Sequence, residues 1–400
     1  MNTEELLVER LIGRIEQANT YFLTKMGSSI KQIKELTPSQ AQQLVQMLKY
    51  NGNYEEIIRE ISKYTNLNIQ EINKIFSEYA KKDSLFAEKF YKYRNIPFEE
   101  GNTFKTYKNT LINVVKNEMY DFTRTNVLGY TINGKFYNLR DVYNELLDTA
   151  LLNVSQGKEA FDQAMFRILK DIGGSGLRTI NYESGRSMRL DSAVRMHLKS
   201  RLRELHNENQ KIIGEEIGTD GIEISVHENP AIDHEKAQGR QFSNEEFEKL
   251  NNGLIAKDYK GKTITLDHDH KNGYRPISEM NCYHYVFSIV LGVSEPQYSE
   301  EQLKEIINRN NKGFELDGKH YTMYEGTQLQ RQLERKIREQ KDTQILAKAS
   351  GNLDLISESQ MKITQLTRKY YQLSQISGLP TKAQRLRVSG YKKVAKSKLK

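Results

Sequence analysis

Leu190, Ala193, Val194, Leu198, Leu202 and Leu205 recur at steps of one, three or four, which places them on one face of a helix. Gly218 supplies a stop signal for that helix. Beyond it, Ile222, Ile224 and Val226 alternate with Glu223, Ser225 and His227, so the period changes from 3.6 to 2 and a strand is expected. Asn229-Pro230 ends that strand, because proline donates no ladder hydrogen bond and restricts the residue before it. A polar loop with Asp233, His234, Gln238, Gly239 and Arg240 follows.

The same reading extends in both directions. Residues 3–26 predict a helix with Leu6, Leu7, Leu11, Ile12 and Ile15 on its apolar side, and Thr37-Pro38-Ser39-Gln40 is a capped helix start. Helices are expected over 54–64, 69–81, 84–93 and 102–124, with Phe86, Phe90, Tyr91, Tyr107 and Tyr120 spaced as packing aromatics. Asn133-Gly134 predicts a two-residue hairpin turn, and helices over 140–153 and 156–171 lead to Gly173-Gly174-Ser175-Gly176, a candidate hinge. Further on, a short helix over 243–251, two strands around Lys260-Gly261-Lys262, and a buried run from Cys282 to Val293 are expected. Ser299 caps another helix, Asp317-Gly318 turns a hairpin, and helices over 326–350 and 353–377 close the pattern. The fold class is therefore α+β and predominantly helical, with short antiparallel strands. Its expected parts are a helical N-terminal arm over 1–172, a central α+β unit over 173–325, a C-terminal helical segment over 326–380 and a basic tail over 381–400.

Composition narrows this picture. Of 400 residues, 37% are hydrophobic and 28% charged, no apolar run is long enough to span a bilayer, and the acidic amphipathic N-terminus lacks the form of a secretion signal. The single cysteine, Cys282, excludes an internal disulfide and points to a reducing cytoplasm during assembly. The net charge is +8. Lys382, Arg385, Arg387, Lys392, Lys393, Lys396, Lys398 and Lys400 carry eight positive charges with no acidic residue among them, so residues 1–380 sum to 8 − 8 = 0. Such an end is either a solvated, flexible terminus or a polyanion contact.

One stretch carries a longer pattern. Tyr182-x-Ser184-Gly185-Arg186, Leu190, Ala193-Val194-Arg195 and Glu216-x-Gly218-x-Asp220 are followed by Glu223-x-Ser225-x-His227, Asp233-His234 and Gln238-Gly239. It resembles the phage minor capsid protein 2 family, among the Mu-F-like minor head proteins of tailed bacteriophages. Gly292 to Leu303 and Thr327 to Arg338 are similar to that family too. The resemblance implies a structural protein of the virion, joined to the head near the portal. Portal and major capsid proteins would be its partners, with packaged DNA or scaffold met by the tail. It assigns Ser184, Gly185, Arg186, Glu223, Ser225, His227, Asp233, His234, Gln238 and Gly239 as structural motif positions, and it implies no membrane contact.

Some residues also invite catalytic readings. His227, His234, His268, His270, Cys282 and His284 fall close together with Asp233, Asp267 and Asp269, but no compact zinc-ligand spacing is present. Hydrogen-bonded loop ordering is the expected role, with no metal or cofactor. Leu266 to Arg275 resembles the Asp-His-x-His-x-x-Gly-x-x-Arg segment of HNH-type endonucleases, which gives the alternative of a metal-dependent nuclease acting through 267–275. An ADP-ribosyltransferase-like effector is a further alternative, since Mu-F-like domains are associated with a related fold, yet the expected Ser-Thr-Ser strand and Glu-x-Glu turn are missing. The glycines at 173–176 lack the lysine of a P-loop. The Arg, Glu and Lys run over 331–338 is expected to form i,i+4 pairs on a solvated helix face. No catalysis is expected. A third possibility, a general DNA-binding protein, rests on the tail.

Overall fold

The computed structural model describes residues 3–50, 53–65, 69–93, 95, 97, 101–124, 126–181, 183–266, 275–278, 282 and 284–394. The chain begins with α1 (Thr3–Lys34), whose Ala18, Phe22, Leu23, Met26, Ile30 and Ile33 are buried. Next come α2 (Pro38–Tyr50), α3 (Asn53–Thr65), α4 (Ile69–Tyr93) and α5 (Asn102–Thr123). Thr37 and Gln40 start α2 as expected: the Gln40 N–H donates to Thr37 Oγ1 at 3.4 Å and the Thr37 N–H to Gln40 Oε1 at 3.2 Å. The two helices expected over 69–93 are one, α4. No proline or glycine interrupts that stretch, and its apolar positions run on in one helical phase.

A four-stranded antiparallel sheet in the order β2-β1-β3-β4 is assembled from β1 (Leu128–Ile132), β2 (Lys135–Asn138), β3 (Arg178–Ile180) and β4 (Ser187–Arg189). Asn133 and Gly134 have φ of +50° and +78°, as the two-residue turn requires. Between β2 and β3 lie α6 (Leu139–Asn153) and α7 (Lys158–Ser175). Asn19 Oδ1 fastens the sheet to α1, accepting from Tyr130 Oη at 2.8 Å and the Leu177 N–H at 3.1 Å.

From β4 the chain enters α8 (Leu190–Ile217), which ends at Gly218 in the left-handed conformation. A smaller unit follows: β5 (Gly221–Ile224), β6 (Gln241–Ser243), α9 (Asn244–Asn251), β7 (Ala256–Lys257), β8 (Thr263–Ile264) and β9 (Val286–Ile289). β5 is the centre of the antiparallel sheet β6-β5-β9, while β7 and β8 pair with each other. After it come α10 (Glu300–Lys312), the hairpin β10 (Phe314–Leu316) and β11 (Lys319–Tyr321), then α11 (Met323–Ser350) and α12 (Leu353–Ser377). Ser299 and Gln302 form a reciprocal cap on α10, and Thr322 and Glu325 do the same on α11. The chain is predominantly helical α+β.

The main core runs from Val8 to Leu205 and also takes in Ile345, Leu346, Ala347, Leu355 and Ile356. The end of α11 thus packs against both α1 and α7. It can do so because both partners present glycine. A Cβ on Gly27 would stand 2.5 Å from Ala349 Cβ, and one on Gly173 would stand 2.4 Å from Thr343 Cα. Gly173 and Gly174 therefore lie inside α7, and the core is continuous across position 172. The small unit has its own core of Ile224, Phe242, Leu250, Ala256, Ile264, Leu266, Ile277 and Val286.

Three further expectations change, the first being that the run from Cys282 to Val293 is not buried to its end, since Gly292 and Val293 are exposed, Val293 by 58%. Tyr120 is 60% exposed and lies under the Arg124 guanidinium rather than in the core. The tail, through Val394, is not a loose terminus. Leu386 is buried against Ile337 and Tyr370, while Val388, Tyr391 and Val394 pack on the main core. Polar bonds hold it too: Thr20 Oγ1 donates to the Ser389 carbonyl at 2.7 Å, and the Lys382 N–H donates to Tyr370 Oη at 2.7 Å. Apolar residues interleaved with the lysines and arginines make this docking favourable. The side chains of Phe86 and Phe90 and the whole of 267–274, including His268 and His270, lie outside the described residues, as do Lys396, Lys398 and Lys400.

Overpacking the α7–α11 contact tests this architecture. Gly173→Val is expected to lower stability by about 1–3 kcal/mol in urea denaturation. Gly174→Ala, where an added Cβ meets nothing within 4 Å, should leave stability unchanged or raise it by up to about 1 kcal/mol. Equal midpoints for Gly173→Val and the parent would contradict the close approach.

Candidate functional site

A concavity of about 1280 Å³ opens between α1, the β3–β4 turn, α8, α11 and the docked tail. Its lining holds fourteen arginines and lysines against four glutamates. Helical spacing produces this concentration: Arg195, Lys199 and Arg203 succeed one another at i,i+4 on α8, and Arg331, Arg335 and Arg338 occupy one side of α11. Arg10 and Arg14 come from α1, Arg385 and Arg387 from the tail.

The groove floor is a buried charge node. Arg189, at the end of β4, places Nε 3.2 Å from Asp191 Oδ1 and Nη2 3.2 Å from Asp342 Oδ2. Arg338 also pairs with Asp191. Two arginines beside it hold Asp191 well below the ordinary carboxylate range against the opposing effect of burial. Asp342 is pushed up to about 6, chiefly by burial, and Glu16, from α1, is pushed up to about 7 by burial and by the charge of Asp191. Burial, with Arg189 beside it, also pulls the Arg178 guanidinium below its usual value.

Part of the positive charge is neutralised within the wall. Arg195 pairs with Glu9, Arg14 with Glu71 at 2.6 Å and Arg385 with Glu334 at 3.7 Å. Arg10, Arg186, Arg335 and Arg387 have no carboxylate partner among the described residues, and the last three are exposed. Over 331–338, where i,i+4 pairs are expected, Glu334 and Arg338 make long-range contacts. Glu334 is buried against the tail and Arg338 turns to Asp191, so this is a groove wall rather than a solvated face.

The sequence motif separates into two places. Ser184, Gly185 and Arg186 form the β3–β4 turn at the groove rim. Asn181 Oδ1 accepts from the Ser184 N–H at 2.8 Å, Gly185 has φ of +66°, and Arg186 is carried outward. The remaining motif positions order the small unit. Glu223 is buried and accepts from Gln241 Nε2 at 2.8 Å and the Gln297 N–H at 3.1 Å. Ser225 Oγ accepts from the Tyr285 N–H at 2.8 Å. Gly239, at φ of +68°, leaves no room for a side chain against Leu303.

Around them lies a buried polar cluster. Asp233 accepts two bonds from Arg275, at 2.6 and 2.9 Å. His234 and His284 each place Nδ1 3.5 Å from Cys282 Sγ, and Gln238 Oε1 lies between the His227 N–H at 2.9 Å and His284 Nε2 at 3.4 Å. Burial and the neighbouring His227 and His234 push His284 well below its usual value. Burial acts to raise the Cys282 thiol, but the bond with His234 brings it net below its ordinary value. Arg203 joins the two places, since it lines the groove and donates to the Cys282 carbonyl.

Of the basic tail, Arg385 and Arg387 line the groove, Lys382 lies at the start of the docked turn, and Lys392 and Lys393 are exposed beyond it. The basic side chains of α1 and α8 are hidden in the sequence by the neutral sum of residues 1–380, and those of α11 read there as a solvated face. The signal was present in the i,i+4 spacing of Arg195, Lys199 and Arg203.

A family model described as phage minor capsid protein 2 matches residues 4–373. No curated protein and no solved structure gives a significant match.

Glu16 makes the node pH-sensitive. Its folded value of about 7 lies above the ordinary 4.5, so its contribution is fully present below about pH 4.5 and is lost as pH rises through 7. Asp342 acts in the same sense between 3.8 and about 6. Glu16 should therefore remove about 1–3 kcal/mol of stability between pH 5 and 8. Thermal melts at those two pH values should show the fall in the parent and a smaller one in Glu16→Gln. An equal fall in both would contradict the assignment.

Proposed function

Because the chain belongs to the phage minor capsid protein 2 family, we propose that it is a minor head protein of a tailed phage. In this reading it sits at low copy near the portal vertex, with its arginine groove against packaged DNA. The observation that carries the DNA contact is the excess of fourteen basic over four acidic side chains in one groove. Duplex DNA presents one negative charge per roughly 1.7 Å of axis, and arginine forks match phosphate oxygens in pairs. Contacts of this kind position a backbone and do not read bases, so binding is independent of sequence. The tail supports the same reading, because it brings Arg385 and Arg387 to the groove and leaves Lys392 and Lys393 beside it.

The small unit is the part we assign to portal or major capsid contact. It exposes Leu254, Ile255, Tyr259 and Val293, each more than half accessible, and the Tyr259 hydroxyl lies 2.9 Å from a Cβ placed on Gly292. Apolar anchors of this kind lie at the centre of protein interfaces. The helical stretch over 1–172 would then serve as the body on which groove and interface are mounted. Among the described residues no helix is long and apolar enough to cross a membrane. No catalytic step is assigned to any residue.

Mass spectrometry of purified particles should find the chain at low copy in filled heads, and its absence from particles and assembly intermediates would overturn the reading. Leu254→Asp with Ile255→Asp should fold but be depleted from particles. DNA affinity should fall linearly with the logarithm of salt concentration, and Arg186→Ala, Arg335→Ala and Arg387→Ala should each reduce the slope by about one. Unchanged slopes in all three would remove the groove from the DNA contact.

A further inference from the structure

The sequence spacing argued against a metal, yet folding brings His234, Cys282 and His284 together with one ligand atom from each within 4.8 Å of the others. All three residues are buried. We propose that they form a transition-metal site for zinc, with Cys282 Sγ, His234 Nδ1 and His284 Nδ1 as ligands.

The hydrogen bonds around the triad decide which nitrogens face inward. His234 Nε2 lies 2.8 Å from the Arg275 carbonyl oxygen, which can only accept, so Nε2 carries the proton and Nδ1 presents a lone pair. The same holds for His284. Its Nε2 faces Gln238 Oε1, and that atom is an oxygen because it accepts the His227 N–H at 2.9 Å. Two imidazole lone pairs thus converge on one sulfur, and a thiol has a single proton to give. The His284 N–H adds a donor to that sulfur at 3.4 Å, an arrangement that suits a thiolate. A cation among the three atoms satisfies every lone pair at once.

The dimensions fit. A tetrahedral zinc with bonds of roughly 2.3 Å to sulfur and 2.0 Å to nitrogen separates those atoms by roughly 3.5 Å. Both Sγ–Nδ1 distances here are 3.5 Å. One thiolate and two imidazoles select zinc over magnesium or calcium, which take oxygen ligands. The outer bonds from Arg275 and Gln238 hold the rings in place, as such partners do in metal sites. Gln238 is 1% exposed, so its side chain is fixed between the His227 N–H and the His284 ring. The metal would tie the loop after β5 to the segment entering β9. The inference concerns this cluster alone and does not rest on the head-protein reading.

The full chain, incubated with zinc and freed of excess by gel filtration, should retain one zinc per chain. Its cobalt form should show thiolate-to-cobalt charge transfer in the near ultraviolet. Cys282→Ala should abolish that band and weaken zinc binding by roughly a hundredfold, and Gln238→Ala should weaken it roughly tenfold. If Cys282→Ala fails to fold, the parent's melting temperature decides: zinc should raise it and a chelator should reverse the rise. Substoichiometric zinc, a cobalt form without the thiolate band, or a melting temperature indifferent to zinc would each overturn the site.

Discussion

Arg189 is the charge on which the rest of the molecule depends. It is buried at the end of β4, and its partners come from the first turn of α8 and the far end of α11. An unpaired guanidinium at this depth would cost several kcal/mol in lost hydration, so the pairing fixes where α11 must lie. Asp191 shares itself between Arg189 and Arg338, while burial raises Glu16 to about 7 and Asp342 to about 6. A Cβ on Gly176 would stand 2.2 Å from Arg189 Nη1, so glycine at that position makes room for the guanidinium. The same node forms the floor of the groove. Stability and the positive surface are thus two consequences of one arrangement: acids are spent inside, and arginines remain at the rim.

Local structure was legible where it depends on a few neighbouring residues. The Asn133-Gly134 and Asp317-Gly318 turns, the caps at Thr37 and Ser299, the stop at Gly218 and the final helix over 353–377 all follow from side-chain chemistry within a turn or two. What escaped was placement at long range. Nothing near Gly27 or Gly173 in sequence says that Ala349 and Thr343 will press on them. Without that contact, Gly173 to Gly176 reads as a hinge. The tail misled for a related reason. Its lysines and arginines dominate the composition, while the four apolar residues that dock it are spread too thinly to form a periodic pattern.

The candidate sites show the same division. The motif residues were found in sequence as one run, but Arg186 belongs to the groove and His234 to a buried cluster, and only the turn of α8 between them explains the separation. Cys282 and His284 lie close together in sequence, yet His234 is far from both, so ligand spacing gave no warning. Neutrality of residues 1–380 concealed the groove, since a sum cannot show that basic side chains share one surface.

In the proposed role, this minor capsid protein meets packaged DNA through the groove. Photocrosslinking inside intact filled heads, followed by mapping of the DNA-linked peptides, tests it most directly. The account predicts adducts on peptides containing Arg335 of α11 and Arg387 of the tail, with none in heads emptied of DNA. Adducts confined to other surfaces, or none in filled heads, would contradict it.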